Sequence, residues 1–197
     1  MQPVTTITGR MVPLDRADVD TDQIMPKQYL KRIARTGFGE FVFDDWRADP
    51  DFVLNDERYE GANVLVTGPN FGSGSSREHA PWGLQQFGFD AVIAPSFADI
   101  FRNNCANIGL LTVELPPERC KELVALATDE PAATIRIDLP EQVVVTELGT
   151  DHFDVDLHTK RLLVEGLDSI ALTLQRDDAI TAFEASRPSY TPVAAAR

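Results

Sequence analysis

Cysteine and histidine are scarce in this chain of 197 residues, which contains two cysteines and three histidines. The two cysteines, Cys105 and Cys120, are too few for a disulfide scaffold and form no CxxC motif of the zinc or redox type. The histidines form no HExxH motif and show no other paired ligand spacing. The sequence therefore predicts two reduced, buried thiols and no metal site on this chain.

Positive charge is also in short supply, because 18 lysines and arginines accompany 31 aspartates and glutamates, for a formal charge of −13. Neutralising phosphates takes clustered positive charge, so this balance argues against nucleic acid or an anionic membrane as a partner. An anionic substrate would have to meet local positive charge. Part of the acidity lies in the run 44–60, DDWRADPDFVLNDERYE, which we interpret as a solvated loop.

Long hydrophobic runs are missing, and none approaches the roughly 20 residues that cross a bilayer. The first residues, MQPVTTITGRMVPLDRADVD, have neither a basic start nor the apolar segment of a signal peptide. We therefore expect a cytoplasmic protein without membrane attachment. The length and the 43% hydrophobic content fit one globular domain, placed at residues 1–186, with a disordered tail predicted at 187–197.

Apolar runs and turn signals alternate in the order typical of an α/β fold. The predicted strands are 5–14, 63–67, 91–94 and 109–115, and the predicted helices are 97–104 and 117–127. β-rich runs follow at 133–139 and 142–148, and the runs 153–157 and 161–166 are predicted to pair as a hairpin. A final amphipathic helix is predicted to begin near Asp168. Pro26 interrupts any helix before the stretch 31–43, which is predicted to be a mobile or specialised loop.

The most informative segment is the glycine- and serine-rich stretch GPNFGSGSSREHA, residues 68–80, which lies between an apolar strand and a predicted helix. It fails the dinucleotide motif GxGxxG, the phosphate loop GxxxxGK[ST] and the nucleophile elbow GxSxG. Glycines allow close backbone approach, and Ser75 or Ser76 would cap the helix beside unpaired N–H groups. Arg77 can grip a carboxylate with two parallel hydrogen bonds. The residues alone leave two interpretations open: a carboxylate-binding corner whose serine acts as a base, or a capped turn with a solvent-facing arginine.

The segment NFGSGSSREHA, residues 70–80, resembles the signature of the swivelling domain of the aconitase superfamily. The stretches DVDTDQIMPKQYLKR, RTGFGEFVF and FDAVIAPSFADIFRNNCANIGLL further resemble the small subunits of isopropylmalate isomerases. The similarity extends over roughly residues 5–185. It implies an α/β fold made of a single swivelling β/β/α domain of the aconitase C-terminal type.

The resemblance also implies which residues form the site. The implied catalytic residues are Ser75 and Asp22, and the implied substrate-binding residues are Ser76, Arg77, Tyr29, Leu30 and Lys31. Ser75 would remove and return a carbon-bound proton, and Asp22 would orient a histidine of a large subunit. Ser76 and Arg77 would hold a substrate carboxylate, while the segment 29–31 would select the side arm of the substrate.

Simpler structural roles remain open for some of these residues. Asp22 could cap a turn, Tyr29 and Leu30 could be core residues, and Lys31 could be a solvated surface charge. Glu78 and His79 belong to the motif but could merely begin the helix, so no chemistry is assigned to them.

The reaction implied by the resemblance is the reversible dehydration and rehydration of a 2-hydroxy acid, which converts 2-isopropylmalate into 3-isopropylmalate in leucine synthesis. The family uses a [4Fe–4S] cluster held by three cysteines, and two cysteines in unrelated segments cannot hold one. The cluster and the rest of the pocket are therefore expected on a large subunit. The alternatives are the small subunit of a related hydro-lyase, such as homoaconitase, and a non-catalytic module that senses a carboxylate or phosphate.

Overall fold

A seven-stranded mixed sheet runs through the part of the chain that the computed structural model describes, residues 1–32 and 34–187. Its strands are β1 (Thr6–Leu14), β2 (Val64–Thr67), β3 (Ala91–Ala94), β4 (Leu111–Glu114), β5 (Thr134–Asp138), β6 (Val143–Thr146) and β7 (Gly149–His152). They lie in the order β4-β3-β2-β1-β5-β6-β7. Strands β1 to β4 pair in parallel, whereas β5 to β7 continue the sheet on the other side of β1 in antiparallel pairs.

The long strand β1 joins the parallel and antiparallel sides of the sheet. Its first half, 6–10, pairs with β5, and its second half, 11–14, pairs with β2. All residues of β2 and β3 are buried, as expected for strands covered by other elements on both faces. In β5 the residues alternate between exposed and buried, which is typical of an antiparallel strand with one face in water.

Helices cover the sheet and fill the connections between its strands. They are α1 (Thr21–Ile24), α2 (Asp44–Arg47), α3 (His79–Phe87), α4 (Asp99–Ile108), α5 (Pro117–Asp129), α6 (Leu157–Glu165), α7 (Ser169–Leu174) and α8 (Asp177–Ser186). Short 3-10 helices lie at Lys27–Lys31, Gly39–Phe41, Val53–Asn55 and Glu57–Tyr59. This mixed arrangement confirms the α/β fold class predicted from the sequence.

Two separate apolar cores form on the two faces of the sheet. Successive side chains of a strand point to opposite faces, so Leu65 of β2 packs in one core and Val64 and Val66 pack in the other. The first core contains Cys105 of α4, and the second contains Cys120 of α5. Both cysteines are reduced and buried, as predicted, and the sheet lies between them.

The acidic run 44–60 is not the solvated loop that its composition predicts. It forms α2 and two 3-10 helices, and the side chains of Phe52 and Tyr59 are buried in the first core. The Tyr59 hydroxyl donates a hydrogen bond to the carbonyl of Ala127 at 3.1 Å. Two buried aromatic side chains thus hold the run against the domain, while most of its carboxylates face water.

The loop predicted at 31–43 also contributes to the core. Phe38, Val42 and Phe43 are fully buried, although most of the residues from 31 to 37 are exposed. The prediction of a mobile or specialised loop therefore applies at most to the first half of this stretch.

The predicted hairpin between 153–157 and 161–166 is wrong. Residues 157–165 form α6, and the strand that pairs with β6 is β7, which lies just before 153. The Asp156 side chain caps α6 by accepting hydrogen bonds from the backbone N–H groups of His158 and Thr159. A short apolar run such as RLLVEG fits a strand and a helix equally well. The cap at Asp156 favours the helix.

The last two helices, α7 and α8, lie at the periphery of the described domain. Asp168 caps α7, as expected for a helix that begins near this residue, and α8 follows as a separate helix. Neither helix buries a side chain. No helix within residues 1–32 and 34–187 is long and apolar enough to cross a membrane. Apart from Arg187, the tail predicted at 187–197 lies outside the described residues.

Candidate active site at the glycine-serine turn

The glycine-serine turn, residues 68–78, lies at the edge of the sheet where the parallel strands end. The N–H group of Gly68 donates to the carbonyl of Arg16 at 3.1 Å, which joins the turn to the segment that follows β1. The N–H group of Phe71 donates to the carbonyl of Ser96 at 3.1 Å, which joins it to the segment that follows β3. Three loops therefore meet at the carboxyl ends of the strands, where α/β proteins commonly bind ligands.

Backbone hydrogen bonds hold the turn against the start of α1. The carbonyl of Val19 accepts from the N–H groups of Gly72 and Ser73, at 2.8 and 3.2 Å. The N–H group of Thr21 donates to the carbonyl of Ser73 at 2.9 Å, and its hydroxyl donates to the carbonyl of Ser75 at the same distance. Two segments more than 50 positions apart in sequence thus form one unit.

Close packing requires a glycine at position 72. Its φ angle is +76°, a conformation that other residues adopt only at a cost. A Cβ atom placed there would lie 2.1 Å from the ring of Phe101, well inside van der Waals contact. The turn therefore lies directly on α4, and its conformation depends on that helix.

Ser75, Arg77 and Asp22 come together on the outer side of this unit. The Nε–H of Arg77 donates to the Ser75 hydroxyl oxygen at 2.9 Å, and a terminal nitrogen of the same guanidinium forms an ion pair with the Asp22 carboxylate. The Arg77 side chain is only 17% exposed, whereas that of Asp22 is 52% exposed. Ser75 and its neighbour Ser76 both face solvent. Four of the predicted site residues thus lie side by side.

The two serines do not cap the helix, contrary to the sequence prediction. Helix α3 begins at His79, its N-cap position is Glu78, and no side chain caps it. The Ser75 hydroxyl accepts a hydrogen bond from Arg77 instead. Because the arginine is largely buried, the interpretation of a capped turn with a solvent-facing arginine is wrong. Pro81 falls in the first turn of α3, where its ring is tolerated.

The predicted selectivity segment, residues 29–31, is held by different contacts. The Tyr29 hydroxyl donates to a carboxylate oxygen of Asp44 at 2.5 Å, and the Tyr29 ring stacks on Phe41 with 4.0 Å between centroids. The hydrogen bond to Asp44 raises the pKa of the Tyr29 hydroxyl. Leu30 is half-buried against the first core, and Lys31 is exposed. Among the described residues, no hydrogen bond or ion pair joins this segment to Ser75, Ser76 or Arg77.

The cysteines of this chain do not fit an iron-sulfur cluster. Cys105 and Cys120 pack on opposite faces of the sheet, so they cannot bind one cluster together. Burial raises the pKa of the Cys105 thiol well above its ordinary value and that of Cys120 to about 11, which favours the protonated form over the thiolate ligand. Residues 1–32 and 34–187 contain no group of three or more His, Cys, Asp or Glu side chains placed to hold a metal ion.

Thr21 is a residue of this site that the sequence does not reveal. Only its position between Asp20 and Asp22 in the DTDQI stretch brings it near a predicted residue. Thr21 is nevertheless buried, and its hydroxyl is hydrogen-bonded to the turn. No local sequence pattern predicts this contact.

This chain is similar in sequence and in fold to known proteins. The family model of the aconitase C-terminal domain matches residues 1–118, and the model of the C-terminal domain of the 3-isopropylmalate dehydratase small subunit matches residues 169–193. The 3-isopropylmalate dehydratase small subunits of Rubrobacter xylanophilus and Acidothermus cellulolyticus are each 52% identical to this chain, over 98% of it and 98% of their own length. A crystal structure of 3-isopropylmalate dehydratase from Methanocaldococcus jannaschii superposes with a TM-score of 0.63 at 28% identity, covering 91% of this chain and 99% of that one. The resemblance stated from the sequence is confirmed, and the chain belongs to the 3-isopropylmalate dehydratase small subunits of the aconitase C-terminal-domain family.

Proposed function

We propose that this chain is the small subunit of a hydro-lyase that isomerises 2-isopropylmalate to 3-isopropylmalate by dehydration and rehydration in leucine biosynthesis. Its family membership supports this reaction. The observation that carries the mechanism is the contact of the Arg77 guanidinium with the exposed Ser75 hydroxyl. The protein would work in the cytoplasm with a large subunit and a 2-hydroxy-acid substrate, and without nucleic acid or membrane.

Ser75 would be the base that removes and returns the carbon-bound proton. A serine hydroxyl is a weak base at neutral pH unless its alkoxide is stabilised. A guanidinium that donates a hydrogen bond to the hydroxyl oxygen favours the negatively charged form. Because Ser75 is exposed, its oxygen can reach a substrate bound between the two subunits.

Arg77 and Ser76 would hold a carboxylate of the substrate. An arginine can bind a carboxylate through two parallel hydrogen bonds, which fix its orientation as well as its charge. This local positive charge is what a chain with a formal charge of −13 needs in order to receive an anion.

Asp22 would orient a histidine supplied by the large subunit. About half of its side chain is exposed, so the carboxylate can accept a hydrogen bond from an incoming partner. Such a contact would fix both the orientation and the tautomer of the imidazole.

The segment 29–31 would select the substrate side arm. Its residues offer different chemistry, because Leu30 is half-buried and apolar while Lys31 is exposed and charged. The bond from Tyr29 to Asp44 holds the segment in place. An apolar side arm and a carboxylate side arm would meet different groups here.

The [4Fe–4S] cluster of this enzyme class would be held by the large subunit. The two buried thiols of this chain cannot supply its ligands, so the active site would be complete only at the interface between the subunits. The swivelling domain would bring the glycine-serine turn over the bound substrate and exclude water from it.

The test is the variant Ser75→Ala, assembled with the large subunit under anaerobic conditions. Loss of a general base typically slows a reaction about 10²–10⁴-fold, so kcat should fall at least about a hundredfold while assembly and substrate binding persist. Ser73→Ala is the matched control, since Ser73 lies in the same turn and its hydroxyl makes only a 3.5 Å contact with the Asp18 carbonyl. A near-normal kcat for Ser75→Ala would refute the assignment of the base.

Substrate assays separate the proposed reaction from its alternatives. The assembled wild-type enzyme should turn over isopropylmalates faster than homocitrate-type acids. The opposite order would indicate a homoaconitase-like small subunit. Binding of carboxylates without turnover of either substrate family would support the sensing module.

A further inference from the structure

Thr21 contacts the glycine-serine turn through both its backbone and its side chain. Its N–H group donates to the Ser73 carbonyl and its hydroxyl to the Ser75 carbonyl, each at 2.9 Å. The residue is only 2% exposed, so water does not compete for these bonds. A buried hydroxyl bound to a distant carbonyl restricts the conformation of the segment that it contacts.

The Ser75 carbonyl controls the geometry of its neighbours. A peptide bond is planar, so the direction of this carbonyl also sets the direction of the Ser76 N–H group and the ψ angle of Ser75. The residue before it, Gly74, has a φ angle of +90° and provides little conformational restraint. The Thr21 hydroxyl is therefore the contact that fixes the peptide between Ser75 and Ser76.

Helix α1 provides a rigid base for this contact. The Asp20 carboxylate accepts a hydrogen bond from the Gln23 N–H group at 2.8 Å, and the Gln23 side chain accepts one from the Asp20 N–H group at 2.9 Å. This reciprocal capping box fixes the first turn of the helix. One short helix thus holds the Ser75 peptide through Thr21 and the Arg77 guanidinium through Asp22.

We propose that Thr21 is a positioning residue for the isomerisation, whose hydroxyl fixes the Ser75–Ser76 peptide and thereby aims the Ser75 oxygen at the substrate. The inference rests on the proposed role of Ser75 as the base. Proton transfer depends steeply on geometry, because a displacement of about 1 Å can cost about a hundredfold in rate.

The experiment compares Thr21→Val, Thr21→Ser and Thr67→Val in the complex with the large subunit. Valine keeps the shape of threonine but removes the hydroxyl, whereas serine keeps the hydroxyl. Thr67 is the matched control, because it is 1% exposed and its hydroxyl donates to the Arg16 carbonyl at 3.2 Å rather than to Ser75. All three variants are measured for kcat, KM and melting temperature.

Thr21→Val should lower kcat about ten- to a hundredfold with a smaller change in KM, since the base is misplaced while Arg77 still holds the substrate carboxylate. Thr21→Ser should restore kcat to within about threefold of the wild type. Thr67→Val should lower the melting temperature to a similar extent without an equivalent loss of kcat. If Thr21→Val fails to assemble, Thr21→Cys replaces it, and its weaker donor should give a kcat clearly below that of Thr21→Ser.

The inference is overturned if Thr21→Val or Thr21→Cys turns over at the wild-type rate, if serine does not rescue kcat, or if Thr67→Val loses kcat equally. Ser75→Ala, measured alongside, distinguishes the positioning role of Thr21 from the role of Ser75 as the base. A slow Ser75→Ala with a normal Thr21→Val refutes only the positioning role. A normal Ser75→Ala refutes the base itself, and the role of Thr21 with it.

Discussion

The parallel and antiparallel sides of the sheet differ in how firmly they are enclosed. On the parallel side, β2 and β3 are buried on both faces, and the loops at their carboxyl ends carry Ser75, Arg77 and the segments packed on them. On the antiparallel side, β5 has one face in water, and α7 and α8, which follow α6 at the end of the described chain, have no buried residues. The aconitase family model likewise matches only residues 1–118. The enclosed side is the one that must hold loops in fixed positions.

The sharpest test of this difference replaces one glycine on each side by alanine. Gly72 and Gly149 both have positive φ angles, so each substitution should cost about 1–3 kcal/mol of strain. Only at Gly72 does the new Cβ meet a ring, that of Phe101, whereas the space around Gly149 is open. Overpacking should add about 1–3 kcal/mol to the loss at Gly72. Urea unfolding of the two variants measures the difference, and equal losses would show that the turn can move away from α4.

A second test compares a buried and an exposed apolar side chain. Leu84 of α3 is fully buried in the first core, so Leu84→Ala should lower the free energy of unfolding by about 2–5 kcal/mol. Phe183 of α8 is 68% exposed, and Phe183→Ala should change it by no more than about 0.5 kcal/mol. Thermal and urea unfolding give both values. A large loss for Phe183→Ala would show that α8 packs more firmly on the domain than its exposure indicates.

The smallest effect is expected at the cap of α6. Asp156→Ala removes the cap and should cost about 0.5–2 kcal/mol at neutral pH. Hydrogen bonds from Thr159, and then from the His158 N–H group, lower the pKa of Asp156. A lowered carboxyl pKa gives stability that is present above its unfolded pKa of about 3.9 and is lost as the pH falls through the lower folded value.

The difference between wild type and Asp156→Ala should therefore persist at pH 7 and shrink below about pH 4. Asp154→Ala is the matched control, since Asp154 is exposed and has no hydrogen bond among the described residues. Unfolding measured from pH 3 to pH 7 gives both curves. A constant difference across that range would mean that the Asp156 charge does not matter to the cap.

Much of the enclosed side can be predicted from the sequence. The strands β1 to β4 fall within the four predicted runs, because short continuous apolar segments between turn residues are typical of buried strands. The β-rich runs at 133–139 and 142–148 contain β5 and β6, as predicted. The helix predicted at 97–104 is α4, which extends over 99–108, an ordinary difference at helix ends. The prediction of a strand at 161–166 is wrong, because six residues are too few to distinguish the periodicity of a helix from that of a strand.

The sequence predicts several members of the candidate site, but it predicts neither Thr21 nor the contacts between the members. The motif around Ser75 predicts a role for the serine and Arg77, and the DTDQI stretch predicts one for Asp22. The ion pair of Arg77 with Asp22 and the bond from Thr21 to Ser75 join residues 54 or 55 positions apart. Such contacts follow from how two loops meet at the end of a sheet, and no local sequence pattern encodes them.

If Arg77 binds the substrate as proposed, its ion pair with Asp22 places a competing carboxylate at the anion site of the free chain. A substrate carboxylate would replace the Asp22 carboxylate at Arg77. The charge attraction gained with the substrate would largely cancel the attraction lost with Asp22, so geometric fit would determine the net affinity. The displaced Asp22 carboxylate would then be available to a histidine of the large subunit. Substrate binding and association of the subunits would each break the ion pair between Arg77 and Asp22. Each would therefore favour the other, and the two would be thermodynamically linked.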